Sequence, residues 1–466
     1  MKSSSIQPAQ LPDEIFKAYD IRGIVGKTLS TDIAEWIGRA IGSEALHRGS
    51  QSIVVGRDGR LSGPDLVTAL CKGLTSTGID VIDIGRVPTP VVYFAAHHLR
   101  THSCISVTGS HNPPDYNGFK IVLAGDTLSG DAIKRLRQRC LQGHLQQGHG
   151  EYRQQDVRAD YLQRICSDIK LARKLKVAVD CGNGVAGELA PELIRRLGCE
   201  VTELFCEIDG TFPNHHPDPS QPKNLQDLIK ILHEDPGLDI GLAFDGDGDR
   251  LGVITPAGKV IWPDRQMILF ARDILSRHPG GEIIFDVKCS RNLPKAIQAA
   301  GGRPTIWKTG HSFIKAKLKE SGALLAGEMS GHLFFKERWY GFDDGLYAAA
   351  RLLELLAKDQ RATGEIFDAL PDSINTPELQ IAFEEGEHYK AIEKLREAAR
   401  FDDAQVSTID GLRVDFEDGF GLVRASNTTP VLVLRFEGDT EQAIKRIQVS
   451  FAELIRSVVP DVKLPF

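Results

Sequence analysis

A serine, a histidine and a lysine lie close together in the segment TGSHNPPDYNGFK at 108–120. The segment follows the apolar run SCISV, so the sequence predicts that Ser110 is presented on a tight and exposed turn. A serine hydroxyl is a poor nucleophile unless a base or a metal ion activates it. His111 is adjacent, and Lys120 could contact a phosphate or donate a proton. Because the same composition is typical of an ordinary Ser/Asn/Pro turn, a catalytic and a structural role both remain open.

The segment DGDGDR at 245–250 alternates aspartate and glycine. Glycine permits a tight backbone turn, so three carboxylates are predicted on one side of it. They are those of Asp245, Asp247 and Asp249. An EF-hand is excluded, because its loop needs glycine at position 6 and glutamate at position 12, where this chain has Arg250 and Pro256. Three carboxylates leave coordination positions open, which favours Mg²⁺ shared with a phosphate over an acidic surface turn.

Two further loops carry polar groups suited to a phosphorylated sugar. In GEMSGH at 327–332, Glu328 and Ser330 are two residues apart and could hydrogen-bond neighbouring hydroxyl groups. In RASNTTP at 424–430, an arginine precedes small hydroxyl and amide residues, which is typical of a phosphate-binding turn. Taken alone, the first segment fits a hydrogen-bonded loop carboxylate equally well, and the second fits a hairpin turn.

The segment GNGVAG at 182–187 matches the glycine pattern of dinucleotide-binding loops and is followed by Glu203 about 20 residues on. It supplies an alternative function, that of an NAD-dependent oxidoreductase. The pattern is short, however, and a turn that packs a strand against a helix explains it as well.

Three modules of the chain must position these loops. Each has a β-branched strand, an amphipathic helix that ends in glycine, and a second strand, which is typical of βαβ units with parallel strands. The predicted helices span 64–78, 188–198 and 292–301. Each module continues into a further strand, which leads into the segments at 108–120, 245–250 and 327–332. Ligands of open α/β sheets bind at the carboxyl ends of strands, so the three loops are expected at one central cleft.

The sequence after LPDSINTP at 370–377 no longer follows this pattern and predicts a smaller α+β domain with an antiparallel sheet. The fold class is therefore α/β, with three similar domains followed by an α+β domain. The predicted boundaries are 1–153, 154–259, 260–372 and 373–466.

Composition narrows the class of protein. The 466 residues are too many for one core and suggest several domains. A net charge of −7 argues against a general binder of nucleic acid or anionic membrane. The eight cysteines include no CxxC pair, which fits free thiols in a reducing compartment rather than a zinc site. The amino terminus lacks a signal-peptide pattern and no run is long enough to span a membrane. These features predict a soluble cytoplasmic protein.

Taken together, the motifs make the sequence resemble the α-D-phosphohexomutase family, and within it the bacterial phosphomannomutase/phosphoglucomutase group. The resemblance covers nearly the whole chain, in family order and spacing. The motifs that carry it are YDIRG (19–23), TGSHNPPDYNGFK (108–120), DGDGDR (245–250), TGHSFIK (309–315), GEMSGH (327–332) and RASNTTP (424–430).

The resemblance implies a role for each matching residue. Ser110 is implied to carry a phosphoryl group, and one of its phosphate oxygens to join the aspartates of 245–250 around Mg²⁺. Proton transfer is implied for Lys120 and His332, with Arg22 a further catalytic residue. Glu328 and Ser330 match sugar contacts. The cradle for the non-reacting phosphate comprises Arg424, Ser426, Asn427 and Thr428. Other substrate-binding positions are Tyr19, Arg22, His111, Lys120, Arg250, Lys288, His311 and His332.

The resemblance also implies an activity, the interconversion of hexose 1-phosphates and 6-phosphates. Phosphoserine 110 would donate its phosphoryl group to give a hexose 1,6-bisphosphate, with glucose 1,6-bisphosphate as the activator. Met329 is similar to the mannose/glucose group, whereas glucosamine enzymes tend to have glutamine there. A phosphoglucosamine mutase and a non-catalytic sugar-phosphate binder stay open as alternatives. The family further implies a monomer that serves carbohydrate metabolism and polysaccharide biosynthesis.

Overall fold

The computed structural model describes residues 11–384, 386–427 and 429–466. The chain divides into two units. The first holds the described residues up to Pro263 together with Lys315–Ser321 and Ser330–Phe367. The second holds Asp264–Ile314, Gly322–Met329 and the described residues from Asp368 onward. Within the described ranges, no helix combines the length and the apolar character needed to cross a membrane.

The first module begins with a short 3₁₀ turn at Asp13–Ile15 and belongs to the first unit. Its elements are β1 (Ile21–Ile24), α1 (Thr31–His47), β2 (Ser52–Arg57), α2 (Gly63–Thr75), β3 (Asp80–Arg86), α3 (Thr89–His98), β4 (Cys104–Val107), β5 (Tyr116–Leu123), β6 (Asp126–Thr127), α4 (Asp131–Leu141) and β7 (Tyr152–Gln154). The sheet order is β1-β5-β4-β2-β3-β7, with β6 beside β5. Strand β2 is parallel to β3 and β4, whereas β5 is antiparallel to β1 and β4.

The second module also lies in the first unit. Its elements are α5 (Arg158–Asp168), β8 (Lys176–Asp180), α6 (Ala190–Arg196), β9 (Glu200–Leu204), α7 (Gln226–Glu234), β10 (Ile240–Phe244), β11 (Leu251–Ile254) and β12 (Val260–Ile261). The sheet order is β12-β11-β10-β8-β9. The helix predicted over 188–198 is shorter than expected: a 3₁₀ turn over Val185–Glu188 precedes α6. Pro191 lies in the first turn of α6, where its missing N–H has no intrahelical role.

The third module supplies parallel strands to the second unit. Its elements are α8 (Pro263–Arg277), β13 (Glu282–Asp286), α9 (Asn292–Ala299), β14 (Arg303–Trp307), α10 (His311–Ser321), β15 (Leu325–Gly327), β16 (Leu333–Phe335), α11 (Gly345–Lys358) and α12 (Thr363–Asp368). Strand β13 pairs in parallel with β14 and β15.

The last segment, in the second unit, folds as an antiparallel sheet with two helices. Its elements are β17 (Ile374–Asn375), β18 (Leu379–Ala382), α13 (Glu387–Ala398), β19 (Gln405–Ser407), β20 (Leu412–Phe416), β21 (Gly419–Ala425), β22 (Val431–Gly438) and α14 (Glu441–Val458). The antiparallel pairing of β19 to β22 confirms the predicted α+β character. Thr440 caps α14 by accepting from Ala443 N at 3.1 Å.

The three modules share one topology, as the sequence predicts. In each, the first strand is parallel to the strand after its helix and to the next strand along the chain: β2 with β3 and β4, β8 with β9 and β10, and β13 with β14 and β15. The segments 108–120, 245–250 and 327–332 therefore begin at the carboxyl ends of equivalent strands, β4, β10 and β15. The repeat is a property of the backbone as well as of the sequence.

Helix α11 completes the first unit, although it lies far along the chain from the first two modules. Asp344 caps it by accepting a hydrogen bond from Tyr347 N at 2.9 Å. The hydroxyl of Tyr161 in α5 donates to both carboxylate oxygens of Asp344, at 2.8 and 3.0 Å. The helix packs on α6 and β11 of the second module and is buried over most of its length.

Candidate active site

Ser110 stands just beyond β4 with a backbone φ of +50°, a left-handed conformation that is uncommon for residues other than glycine. Ser110 is 2% exposed, so the prediction that this residue is exposed is wrong, although residues 113–115 of the same turn are exposed. The reason is that neighbouring chain covers Ser110: its hydroxyl donates to Asp245 Oδ2 at 3.1 Å and lies 3.1 Å from His111 Nδ1. The strained conformation therefore places the hydroxyl at the edge of the aspartate loop.

Arg60 holds the turn around Ser110 from within the protein. Its guanidinium donates to backbone carbonyls of the segment: to Ser110 O at 2.8 Å, to Asn112 O at 2.6 Å and also to those of Pro113 and Tyr116. Asp58 binds Arg60 Nε and also accepts from Thr108 Oγ1 at 2.7 Å and from Gly109 N. Arg60 and Asp58 therefore fix the backbone on both sides of Ser110.

Three buried carboxylates form a compact cluster in the loop between β10 and β11. They belong to Asp245, Asp247 and Asp249, each 0% exposed, and one oxygen of each lies within 4.8 Å of those of the others. Within the described residues, Oδ1 of Asp247 accepts no hydrogen bond. A buried acceptor without a donor, inside a set of hard oxygen ligands, fits a divalent cation. The residues present therefore suit a metal ion of the kind that the sequence predicts.

Neighbouring side chains partly neutralise the negative charge of the three aspartates. Lys120 Nζ donates to Asp247 Oδ2 at 2.7 Å and to Asp249 Oδ2 at 2.5 Å, and Thr89 Oγ1 donates to Asp247 Oδ2 at 2.6 Å. Burial raises the pKa of Asp245 well above its usual value, and the charges of Asp249 and Asp247 raise it further. Burial also acts to raise the pKa of Asp249, but Lys120 and His332 outweigh it and hold that pKa well below its usual value.

Cationic and imidazole side chains line the same site. Burial lowers the pKa of His111 well below its usual value, and the nearby charge of Arg250 lowers it further. Arg250 Nε donates to His332 Nε2 at 3.2 Å, and Ser330 Oγ lies 3.0 Å from His332 Nδ1. His111 is therefore held neutral beside Ser110, while His332 is oriented by hydrogen bonds to both ring nitrogens.

Arg22 also reaches the serine segment, since its Nη1 donates to Asn112 Oδ1. Its other terminal nitrogen pairs with Asp20. Tyr19 is partly buried near the start of the same strand. The first unit thus holds all four residues that the sequence predicts to be catalytic, Ser110, Lys120, His332 and Arg22.

The second unit gathers other predicted residues around two acidic side chains. Lys288 Nζ donates to Glu378 Oε1 at 2.6 Å, and Arg424 Nε donates to Asp410 Oδ2 at 3.0 Å. Burial acts to lower the pKa of Lys288, but Glu378 outweighs it and raises that pKa. The same oxygen of Asp410 accepts from Thr309 N at 2.9 Å. Asp410 therefore connects the RASNTTP turn of the last domain to the TGHSFIK segment of the third module.

Backbone and side-chain hydrogen bonds position the rest of this group. Glu328 is 1% exposed and accepts from Gly310 N at 2.5 Å, next to His311, which is also buried. Ser426 Oγ lies 3.1 Å from Thr429 Oγ1 and accepts from Thr429 N, which closes the turn, and Asn427 lies in that turn. Thr428 lies outside the described residues.

Several residues that contribute to these sites lie outside the motifs described in the sequence analysis. They are Asp58, Arg60 and Thr89 in the first unit and Glu378 and Asp410 in the second. The segment GRDGR at 56–60 does hold a signal, because an aspartate and an arginine two residues apart follow a buried strand. Glu378 and Asp410 have no such signal, since only the fold brings them to Lys288 and Arg424.

The glycines of 182–187 are used for packing. A Cβ atom on Gly184 would lie 3.0 Å from Gly246 Cα, and one on Gly187 would lie 2.0 Å from Cys206 O. A Cβ atom on Gly182 would likewise lie 3.1 Å from Pro217 Cα, so the chain's own backbone occupies the space beside all three glycines. This observation accounts for the motif without a dinucleotide.

Known proteins share this organisation over the whole chain. Four family models match, described as phosphoglucomutase/phosphomannomutase alpha/beta/alpha domains I, II and III and C-terminal domain, at residues 13–146, 159–258, 262–374 and 378–454. A Pseudomonas aeruginosa protein named phosphomannomutase/phosphoglucomutase is 56% identical over 464 residues, covering 99% of this chain and 100% of the relative. A Neisseria meningitidis protein named phosphoglucomutase is 55% identical and covers 96% of this chain and 98% of its own length.

A solved structure supports the same assignment. The crystal structure of a phosphoglucomutase/phosphomannomutase family protein from Burkholderia thailandensis aligns with a TM-score of 0.94 at 56% identity, covering 98% of this chain and 100% of that one. The similarity extends through all three α/β domains and the C-terminal domain, which confirms the predicted fold class. The chain therefore belongs to the phosphoglucomutase/phosphomannomutase family.

Proposed function

We propose that this chain interconverts hexose 1-phosphates and hexose 6-phosphates, with mannose and glucose as the sugars, through a phosphorylated Ser110 and a hexose 1,6-bisphosphate intermediate. The single observation that carries the proposal is the position of the Ser110 hydroxyl, 3.1 Å from Asp245 Oδ2 at the edge of the buried carboxylate cluster. The names of the relatives support the reaction and both sugars.

Ser110 serves in this proposal as the carrier of the phosphoryl group. Asp245, Asp247 and Asp249, with an oxygen of the phosphoserine, hold Mg²⁺, which supplies charge neutralisation to the transferring phosphoryl group. Lys120, His332 and Arg22 act at the transfer step, the first two as proton-transfer groups. His111 and Arg250 contact the phosphorylated serine or the substrate from either side of Ser110.

The remaining residues hold the substrate. Glu328 and Ser330 bind sugar hydroxyl groups, and an arginine beside hydroxyl and amide groups binds the non-reacting phosphate. That phosphate-binding set is Arg424, Ser426, Asn427 and Thr428. Tyr19, Lys288 and His311 complete the substrate contacts. Glucose 1,6-bisphosphate restores the phosphorylated enzyme whenever the intermediate escapes.

The carrier role is tested by intact-mass measurement of the purified protein and of the Ser110→Ala variant. We expect the parent protein to show a fraction one phosphoryl group heavier, and the variant to lack both this fraction and mutase activity. Ser457→Ala, at an exposed position of α14, is the matched control. A parent protein that is unmodified and also fails to accept phosphate from glucose 1,6-bisphosphate would contradict the mechanism and favour a non-catalytic binder.

Substrate choice is tested by parallel assays with mannose, glucose and glucosamine 1-phosphates. In this proposal Glu328 and Ser330 contact O3 and O4 of the sugar. Mannose and glucose differ only at C2, so both sugars can make these contacts, and comparable kcat/KM values are expected for them. A strong preference for the amine would instead identify a phosphoglucosamine mutase.

The setting of the enzyme is part of the proposal. The eight cysteines are all free thiols, which supports a reducing, cytoplasmic compartment. We further propose a monomer with domains at 1–153, 154–259, 260–372 and 373–466, and size-exclusion chromatography with light scattering tests the monomer.

A further inference from the structure

Two cysteines lie side by side behind the aspartate loop. Cys181 follows β8 and Cys206 follows β9, and their sulfur atoms are 3.6 Å apart. The strands are parallel neighbours in which Asp180 pairs with Leu204, and the pairing continues past their ends, because Cys181 N donates to Leu204 O at 3.2 Å. A sulfur separation of 3.6 Å is longer than the covalent S–S length of about 2.05 Å, so the two thiols are adjacent and unbonded.

The two thiols differ in access. Cys181 is fully buried, whereas Cys206 is half-buried and lines a surface groove of about 840 Å³. The charged side chains of that groove are Asp83, Asp156, Glu188, Glu207, Arg86 and Arg158, a net charge of −2. This charge disfavours an anionic disulfide such as oxidised glutathione and leaves a small neutral oxidant as the better reactant.

We propose that Cys181 and Cys206 form a reversible redox site, in which hydrogen peroxide oxidises Cys206, Cys181 then closes a disulfide, and a dithiol reductant reopens it. In the first step the Cys206 sulfur attacks the peroxide, an S–O bond forms, the O–O bond breaks, and the thiol proton leaves in water. In the second step the Cys181 sulfur attacks the Cys206 sulfenic acid, the S–S bond forms, and the S–O oxygen leaves as water with the Cys181 proton. The two sulfurs are oxidised by two electrons, and hydrogen peroxide is reduced to water.

The disulfide would act on the aspartate loop through the segment that follows Cys181. Val185 N donates to Gly246 O at 3.1 Å, and Gly184 packs against the backbone of Gly246. A covalent S–S bond of about 2.05 Å brings the sulfurs about 1.5 Å closer, which constrains the segment that runs from Cys181 to the aspartate loop. This part of the inference rests on the proposed metal site.

The redox site is tested on the full-length protein, treated with hydrogen peroxide after complete reduction. We expect a loss of two hydrogens in the intact mass, a peptide map that links Cys181 to Cys206, and full reversal by dithiothreitol. Cys166→Ser, which removes another half-buried thiol, should behave like the parent. Cys206→Ser should not form the bond, and Cys181→Ser should accumulate a sulfenic acid at Cys206 that dimedone labels. Thermal melting of each variant shows that it is folded.

Three other results would contradict the proposed redox site. Irreversible oxidation of Cys206 without a link, a bond between other cysteines, or equal thiol loss in Cys206→Ser would each do so. Calorimetric titration with Mg²⁺ tests the effect on the aspartate loop, and a change of about threefold to tenfold in affinity is expected between reduced and oxidised protein. Equal affinity in both forms would overturn the coupling, whereas a reduced protein that binds no Mg²⁺ would contradict the proposed metal site instead.

Discussion

The carbonyl oxygen of Ser110 accepts a hydrogen bond of 2.8 Å from Nη2 of Arg60, whose side chain is closed off from solvent. The same guanidinium also donates to carbonyls further along the segment, so one planar group defines the path of the whole turn. Left-handed backbone at a residue with a Cβ atom is held only where its surroundings determine it. The position of the proposed phosphoryl carrier therefore depends on Arg60 as much as on its own strand.

Arg60→Lys should lower kcat sharply. Lysine keeps the charge beside Asp58 but cannot reproduce a planar set of donors. A displacement of Ser110 by about 1 Å is enough to lower kcat by about 100-fold. Steady-state assays with glucose 1-phosphate, together with intact mass for the phosphorylated fraction, measure the effect. Arg48→Lys, which alters an ion pair with Glu44 on α1, serves as the control and should keep parent kcat. An unchanged kcat in Arg60→Lys would show that Arg60 does not position the serine.

Asp247→Asn should selectively weaken Mg²⁺ binding at the site. The substitution removes one anionic ligand and keeps the size of the side chain, so the Mg²⁺ concentration for half-maximal activity should rise by about 100-fold. A chelator should abolish activity in the parent protein, and added Mg²⁺ should restore it. Asp209→Asn, which replaces a partly exposed loop carboxylate of the same unit, should leave the Mg²⁺ dependence unchanged. Equal Mg²⁺ dependence in both variants would contradict the assignment of Asp247 as a ligand.

Asp410→Asn should reduce substrate affinity, because Asp410 orients both Arg424 and the backbone of Thr309. Loss of a charged acceptor costs about 1.5–3 kcal/mol, and we expect KM for glucose 1-phosphate to rise about tenfold or more with a smaller change in kcat. Asp415→Asn is a matched control, since Asp415 pairs with Arg413 in the same sheet. A kcat effect without a KM effect would argue against a binding role for this group.

The stability of the first unit should depend on pH through Asp344. Burial raises the pKa of this carboxyl from 3.8 to about 7. Between about pH 4 and pH 7 the folded protein therefore binds a proton more tightly than the unfolded chain, so the free energy of unfolding falls as the pH rises. The expected loss is on the order of 4 kcal/mol and is complete above about pH 7.

Denaturant titrations of the parent protein and of Asp344→Asn across pH 4.5–8 check this prediction. The variant keeps a side chain suited to capping α11. The free energy of unfolding of the variant should therefore depend less on pH than that of the parent protein. Asp359→Asn, at the other end of the helix, is the control: hydrogen bonds from Arg361 lower the pKa of Asp359 to about 2, so its titration ends below this range. Parallel pH profiles in the parent and Asp344→Asn would show that the carboxyl does not titrate in this window.

The sequence predicts much of this protein because its modules repeat. Strand-end loops with unusual composition, such as the alternating aspartates of 245–250, can be located from local pattern alone. The burial of Ser110 could not be predicted that way, since it arises from Asp58, Arg60 and Asp245, which approach from other parts of the chain. Glu378 and Asp410 escaped for the same reason: an acidic residue in a loop has no distinctive pattern until the fold places it beside a particular lysine or arginine.

The hydrogen bonds between Tyr161 and Asp344 have a consequence for when the first unit can finish folding during translation. Helix α5 leaves the ribosome long before α11, which Asp344 caps. Helix α6 and strand β11 are likewise covered only after α11 has been synthesised. A nascent chain that ends near Pro263 already contains Ser110 and the three aspartates but lacks α11. The unit that carries the proposed phosphoryl chemistry therefore reaches its final packing only after translation has passed Phe367.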